Sequence, residues 1–94
     1  MSFQSILNSK ILGTTSRAIS RRIEIINILN KNKSLVTAEI IENLQELEEY
    51  KYLKKKTHLT QIKSDVEYLK DIKLIYELNG EYILGFKIKW NKIN

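Results

Sequence analysis

LTQIKSDVEYLKDIKLIYELNGEYIL, residues 59–84, contains the change of period that decides the fold. Leu59, Ile62, Val66 and Leu69 fall at i, i+3, i+7 and i+10, one face of an α-helix. That helix is predicted to fade near Asp71 or Lys73. The pattern then turns to strand, because Leu74, Ile75, Tyr76, Glu77 and Leu78 are rich in strand formers. Asn79-Gly80 is the strongest short hairpin signal, since both central positions of a type I′ turn need positive φ. On the return strand Tyr82, Leu84, Phe86, Ile88 and Trp90 alternate and so share one face.

Working upstream, Lys54, Lys55 and Lys56 lead to Thr57, read as the cap of this third helix. A second helix is predicted to start at Thr37 as N-cap, with Glu39 in its first turn and Val36 stapled onto Ile41. It buries Ile40, Ile41, Leu44 and Leu47, and stops near Glu49 or runs on through Tyr50 and Leu53. A first helix follows the capping cluster Thr14, Thr15 and Ser16 and runs from about Arg17 to Asn32. Its core stripe is Ile19, Ile23, Ile26 and Leu29 or Asn30, widened by Ile25 and Ile28. Phe3, Ile6, Leu7 and Ile11 also recur at helical spacing, which predicts a short N-terminal helix or arm over residues 1–13. Residues 14–94 then form one domain of α+β class, mainly α: a three-helix core plus a C-terminal β-hairpin.

Composition bounds the function. Ninety-four residues suffice for a single modest core. With no Cys there is no disulfide framework and no thiolate metal site. No apolar run reaches the roughly 18 residues that span a membrane, and Met1 to Leu12 is too short and too polar for a signal peptide. A cytoplasmic protein without membrane contact is the expectation. One His, no Cys and no Gly-rich phosphate loop leave no nucleophile–base pair, so no catalytic residue is assigned and no enzyme is expected. Glu39, Glu42, Glu46, Glu48 and Glu49 have surface spacing rather than that of a metal site, and no cofactor or small-molecule ligand is implied.

The formal net charge is +5, and it is unevenly spread. Basic residues dominate 1–33, acids fill 34–50, and Lys51, Lys54, Lys55 and Lys56 follow at once. Such blocks place a basic patch on one side of a small domain, the electrostatic footprint of a polyanion binder.

Three helices and a hairpin are the plan of a winged helix-turn-helix. Gln61-Ile62-Lys63-Ser64-Asp65-Val66-Glu67-Tyr68-Leu69 resembles the recognition helix of DeoR-like repressors and of the DNA-binding heads of WYL-domain regulators. The family pattern is roughly Thr-Ile-Arg-Arg-Asp-Leu-x-x-Leu; Ile62, Asp65, Val66 and Leu69 match it in kind, with Lys63 and Ser64 at the two arginine positions. Ile75 to Leu84 looks like the wing, and the resemblance covers about residues 20–86. It implies a sequence-specific binder of double-stranded DNA, a small transcriptional regulator with the third helix in the major groove. The chain departs from the pattern in its long connection from Glu48 to Lys56, in Ser64, and in the acidic wing tip formed by Glu77 and Glu81.

Opposite the core stripe, Thr60, Gln61, Ser64 and Tyr68 face outward and are the candidates for reading bases. Lys63, on the flank, suits a phosphate; His58, near the helix start, suits either; Asp65 is expected to pair within the protein. Lys54, Lys55 and Lys56, and Arg21 and Arg22 at the start of helix one, are candidate phosphate contacts. Twofold symmetry doubles the contacts of so small a reader, so a homodimer is expected. Its contacts would come from the N-terminal stripe and from Phe86, Ile88 and Trp90. The acidic tip, the acidic second helix and Ser64 motivate an alternative, a winged helix that binds protein instead of DNA. A replication or packaging factor of a plasmid or virus is a third reading.

Overall fold

The computed structural model describes Gly13 and residues 15–85, to which the following statements refer. Helix α1 spans Ser16–Lys31, α2 Thr37–Gln45 and α3 Lys56–Asp71. A 3-10 turn at Glu48–Tyr50 separates α2 from α3, and strands β1, Ile75–Leu78, and β2, Glu81–Leu84, close the order. The class is therefore α+β, mainly helical, with an antiparallel hairpin after three helices. The N-terminal stripe and the aromatic residues Phe86 and Trp90 lie outside the described residues.

Thr15 is extended, and its hydroxyl accepts the Ala18 N–H at 3.2 Å, capping α1. At the other end the Asn32 side-chain amide donates to the Ile28 carbonyl at 2.7 Å. Ile25, Ile26, Ile28 and Leu29 are buried, while Ile19 and Ile23 are only partly so. The residues read as widening the stripe thus lie at its centre, because α1 packs against α2, α3 and β2 together.

Helix α2 starts one residue earlier than the sequence suggests. Val36 is the N-cap, and Thr37 is already helical. Valine has no side-chain acceptor, so the Glu39 carboxylate closes the turn alone, accepting the Val36 N–H at 3.1 Å. Val36 itself is exposed rather than stapled; the shift by one places Leu35 and Ile40, both buried, at N′ and N4. The helix ends at Gln45 instead of running on. Beyond it Tyr50 N–H donates to Leu47 O at 2.9 Å and Leu53 N–H to Tyr50 O at 3.1 Å. A spacing of three aligns Leu47, Tyr50 and Leu53 on one side, and the last two are buried. The Gln45 side-chain amide donates to the Leu53 carbonyl and holds this connection against the end of α2.

Helix α3 buries Ile62, Asp65, Val66 and Leu69, and leaves Leu59 half-buried. It ends in a Schellman arrangement: Leu74 N–H donates to Leu69 O at 3.0 Å and Lys73 N–H to Lys70 O at 3.0 Å. Lys73 takes the left-handed position, φ 65°, where glycine is usual. The chain then enters β1 with Leu74 and Ile75 in the core.

In the hairpin Ile75 pairs with Leu84 and Leu78 with Glu81. Asn79 and Gly80 have φ 55° and 82°, both positive as the two-residue turn requires. Leu35 bridges to Tyr82 from the other side, with backbone hydrogen bonds of 3.1 and 2.7 Å. Strand β2 is thus flanked by β1 and by the residue that leads into α2. No helix among the described residues is long and apolar enough to cross a membrane.

Candidate functional site

The start of α3 goes against local helix electrostatics. The N-cap is Lys55, which offers no side-chain acceptor, and the first turn contains no acid. Lys54, Lys55 and Lys56 are all exposed there, at the positive end of the helix dipole. Three cations beside uncapped N–H groups repel one another and the dipole, and an anion would relieve that repulsion. Thr57, read from sequence as the cap, lies inside the first turn and is exposed. With 3.6 residues per turn it falls on the same side as Thr60 and Ser64, an outward position that the sequence reading missed by assigning it to the cap.

Thr60, Gln61, Lys63 and Ser64 are exposed on α3, opposite or flanking Ile62, Val66 and Leu69. The Thr60 hydroxyl donates to the Lys56 carbonyl at 3.0 Å, which leaves its oxygen as an acceptor only. Gln61 offers two donors and an acceptor on one amide, the set needed for paired hydrogen bonds. Further along the same face come Glu67 and Asp71, both exposed. The half of α3 suited to a polyanion is therefore its N-terminal half.

Asp65 has a different environment. Its side chain is 1% exposed and accepts from two guanidinium groups. Arg21 Nε reaches Oδ2 at 2.6 Å and Nη2 reaches Oδ1 at 3.3 Å; Arg22 Nε reaches Oδ1 at 3.0 Å. The Arg22 guanidinium also lies 3.9 Å over the Tyr68 ring, a cation–π contact. Arg21 and Arg22, expected at the surface to meet phosphate, are 14% and 12% exposed and are committed to tying α1 to α3. Tyr68, expected on the outward face, is half-buried beneath Arg22. The pairing of Asp65 within the protein follows the sequence reading, although its partners had been assigned elsewhere.

His58 is also turned from the outward face. It is half-buried, edge-on to Tyr52 at 5.2 Å between centroids, and its Nδ1 is buried with no hydrogen-bond partner among the described residues. On the hairpin the acids of the tip have partners. Glu77 accepts from Lys70 at 3.2 Å, and Glu81 accepts from the Ser34 hydroxyl at 2.7 Å. Glu77 and then Glu67 hold the Lys70 ammonium above its ordinary pKa.

Among the described residues no group of His, Cys, Asp and Glu is placed to hold a metal ion. A cleft of about 520 Å³ opens between Ser16, Arg17, Ser20 and Arg21 of α1 and Glu49, Tyr50 and Tyr52 of the connection. Sequence reasoning missed it, because its two walls are some thirty residues apart and neither carries a motif. No protein-family model matches the chain, and neither the curated proteins nor the solved structures offer a match.

Proposed function

We propose that this is a winged-helix protein that binds double-stranded DNA sequence-specifically, as a small transcriptional regulator with α3 in the major groove. The observation that carries the reading is the start of α3. Lys54, Lys55 and Lys56 crowd an uncapped helix N-terminus beside the exposed Gln61, Lys63 and Ser64. Local rules are usually broken where function compensates, and a phosphate backbone supplies the missing anion. Helices of this kind enter the groove by their N-terminal residues, which agrees with acids confined to the far half. The order of helices and hairpin, and the Leu35 bridge to Tyr82, support the winged-helix assignment. Base reading falls to Thr57, Thr60, Gln61 and Ser64, and phosphate contact to Lys54, Lys55, Lys56 and Lys63.

Selection of bound sequences from a random DNA pool, followed by gel-shift titration over a range of salt, tests the proposal. No salt-sensitive binding at low ionic strength would overturn it. On the selected site Lys63→Ala should weaken all sequences about equally and lower the salt slope by about one. Gln61→Ala should relax preference at one base pair, by roughly 1–3 kcal/mol. Wild-type affinity in both variants would take α3 out of the interface.

The working unit is proposed to be a homodimer, whose symmetry fixes the spacing of two half-sites. Sedimentation of the full chain at tens of micromolar should give twice the mass of one chain, and a monomer at that concentration removes this part of the proposal. The alternative, a protein-binding winged helix, is favoured by one observation: Tyr76 and Leu78 stand 52% and 60% exposed on the face of β1 turned from the core. A stable protein partner together with no DNA affinity would select it.

A further inference from the structure

We propose that the outer face of the hairpin seats the apolar stripe Phe3, Ile6, Leu7 and Ile11 of a second copy of the chain. This names the surface that makes the homodimer proposed above, and it rests on that reading. The strand register defines the face. Ile75 opposes Leu84 and Glu77 opposes Tyr82 on the side of the core, so Tyr76, Leu78, Glu81 and Ile83 point the other way. Leu35 is buried opposite Tyr82, which turns Ser34 and Val36 outward as well. The bond from the Ser34 hydroxyl to Glu81, at 2.7 Å, lies on that side. Val36, Tyr76 and Leu78 are three of the four large apolar side chains that stand exposed among the described residues, and they share this one face around the half-buried Ile83. Gly85 keeps the face shallow: a Cβ there would lie 2.6 Å from the Tyr76 ring, so the ring rests against glycine backbone instead of standing off the sheet.

The stripe matches this face in size, polarity and charge. Three extended segments span about 10 Å across, and four strand residues about 13 Å along. A helix over residues 3–11 is about 10 Å wide and 13 Å long. On its helical wheel Lys10 falls inside the apolar stripe, and Glu81 is the acid set among the apolar residues of the face. With the symmetry of a pair, the two stripes and the faces they cover come to roughly 1,000–2,000 Å², at about 60–120 Å² per side chain, which reaches the range of a stable interface.

Reach assigns the stripe to the second copy. Gly13, at φ 129°, lies against α1, since a Cβ on it would collide with the Arg22 guanidinium. Helix α1 packs on the core side of the hairpin, against β2. A helix on the outer face lies across the sheet from α1, about 20 Å away at roughly 10 Å per layer. Leu12 and Gly13 together extend at most about 7 Å, so a chain's own stripe stays on the side of its own α1.

The test uses full chains, with sedimentation at tens of micromolar and circular dichroism melts at a dilution where the chain is monomeric. Leu78→Lys alters the face, and Ile6→Glu with Leu7→Glu alters the stripe. Each alone should melt like wild type when dilute and dimerise at least tenfold more weakly. Mixed, the two should recover, because a pair with one chain of each kind keeps one unaltered stripe on one unaltered face. The mixture should associate about tenfold more tightly than either variant alone. Variants that dimerise like wild type overturn this surface while the homodimer stands. A mixture no tighter than its components, or a variant that melts early when dilute, places the stripe on its own chain and overturns the proposal too. A monomeric wild type removes both the homodimer and this surface, and leaves the face to a foreign protein; DNA binding is decided separately by the gel shift.

Discussion

Val66→Asp is expected to leave the chain unfolded at room temperature. Val66 is 1% exposed on the inner face of α3. Losing its burial removes about 1.5–3 kcal/mol. An unpaired carboxylate at that depth would stay protonated, and a shift of about 3–5 pKa units corresponds to roughly 4–7 kcal/mol. The sum, about 5.5–10 kcal/mol, is comparable to the roughly 5–15 kcal/mol that holds a domain of this size together. Arg21 and Arg22 do not rescue it, since both are engaged by Asp65 on the neighbouring face. Far-UV circular dichroism against temperature is the measurement. A cooperative melt like that of wild type would show that Val66 does not face the core.

Asp65→Ala is expected to cost about 3 kcal/mol and to leave a folded but easily melted protein. Removing one partner of a buried pair costs about 3–5 kcal/mol, chiefly through the charge left behind. Here the cations left behind are Arg21 and Arg22, whose side chains retain 14% and 12% exposure and can turn partly to water, which sets the lower end of that range. Arg21→Ala should cost less than Asp65→Ala, because Arg22 still neutralises the carboxylate. Urea denaturation of the two variants decides the order. If Arg21→Ala were the more damaging, the guanidinium stem rather than the ion pair would be the stabilising element.

Much of this fold was legible in sequence wherever a period or a turn chemistry marked it. Ile62, Val66 and Leu69 announce α3 by spacing, and Asn79-Gly80 announces the hairpin by the φ values it must supply. The Thr15 cap was within the cluster read for it. The errors arose where tertiary contacts outweighed local preference. Thr37 and Thr57 are good caps, yet the N-caps fall before them, at Val36 and Lys55, where the surrounding chain fixes the entry. The 3-10 turn after α2 exists because Leu47, Tyr50 and Leu53 must share one side, a demand that appears only once α3 has somewhere to pack. Leu35 is a single bridging residue, too short for any period. For the candidate site, the exposed Thr60, Gln61, Lys63 and Ser64 were legible from the helical wheel and the basic triplet from its run, and Asp65 was expected to pair inward, whereas Tyr68 was read as outward and Thr57 as a cap. Arg21 and Arg22 were not legible as core partners, because charge alone does not say which guanidinium a distant carboxylate will claim.

The Leu35 bridge to Tyr82 also governs the order of events in folding. Its neighbours Ser34 and Glu81 are hydrogen-bonded 47 residues apart in the chain, and Arg21 to Asp65 spans 44. Each closes a long loop, whose entropy is lost before any contact repays it. Helix α1 can coil locally as it leaves the ribosome, but the segment between α1 and α2 has no sheet partner until residue 82 emerges. The hairpin is therefore the clasp that fixes the segment between α1 and α2, and its docking, rather than formation of the helices, is the expected slow step of folding.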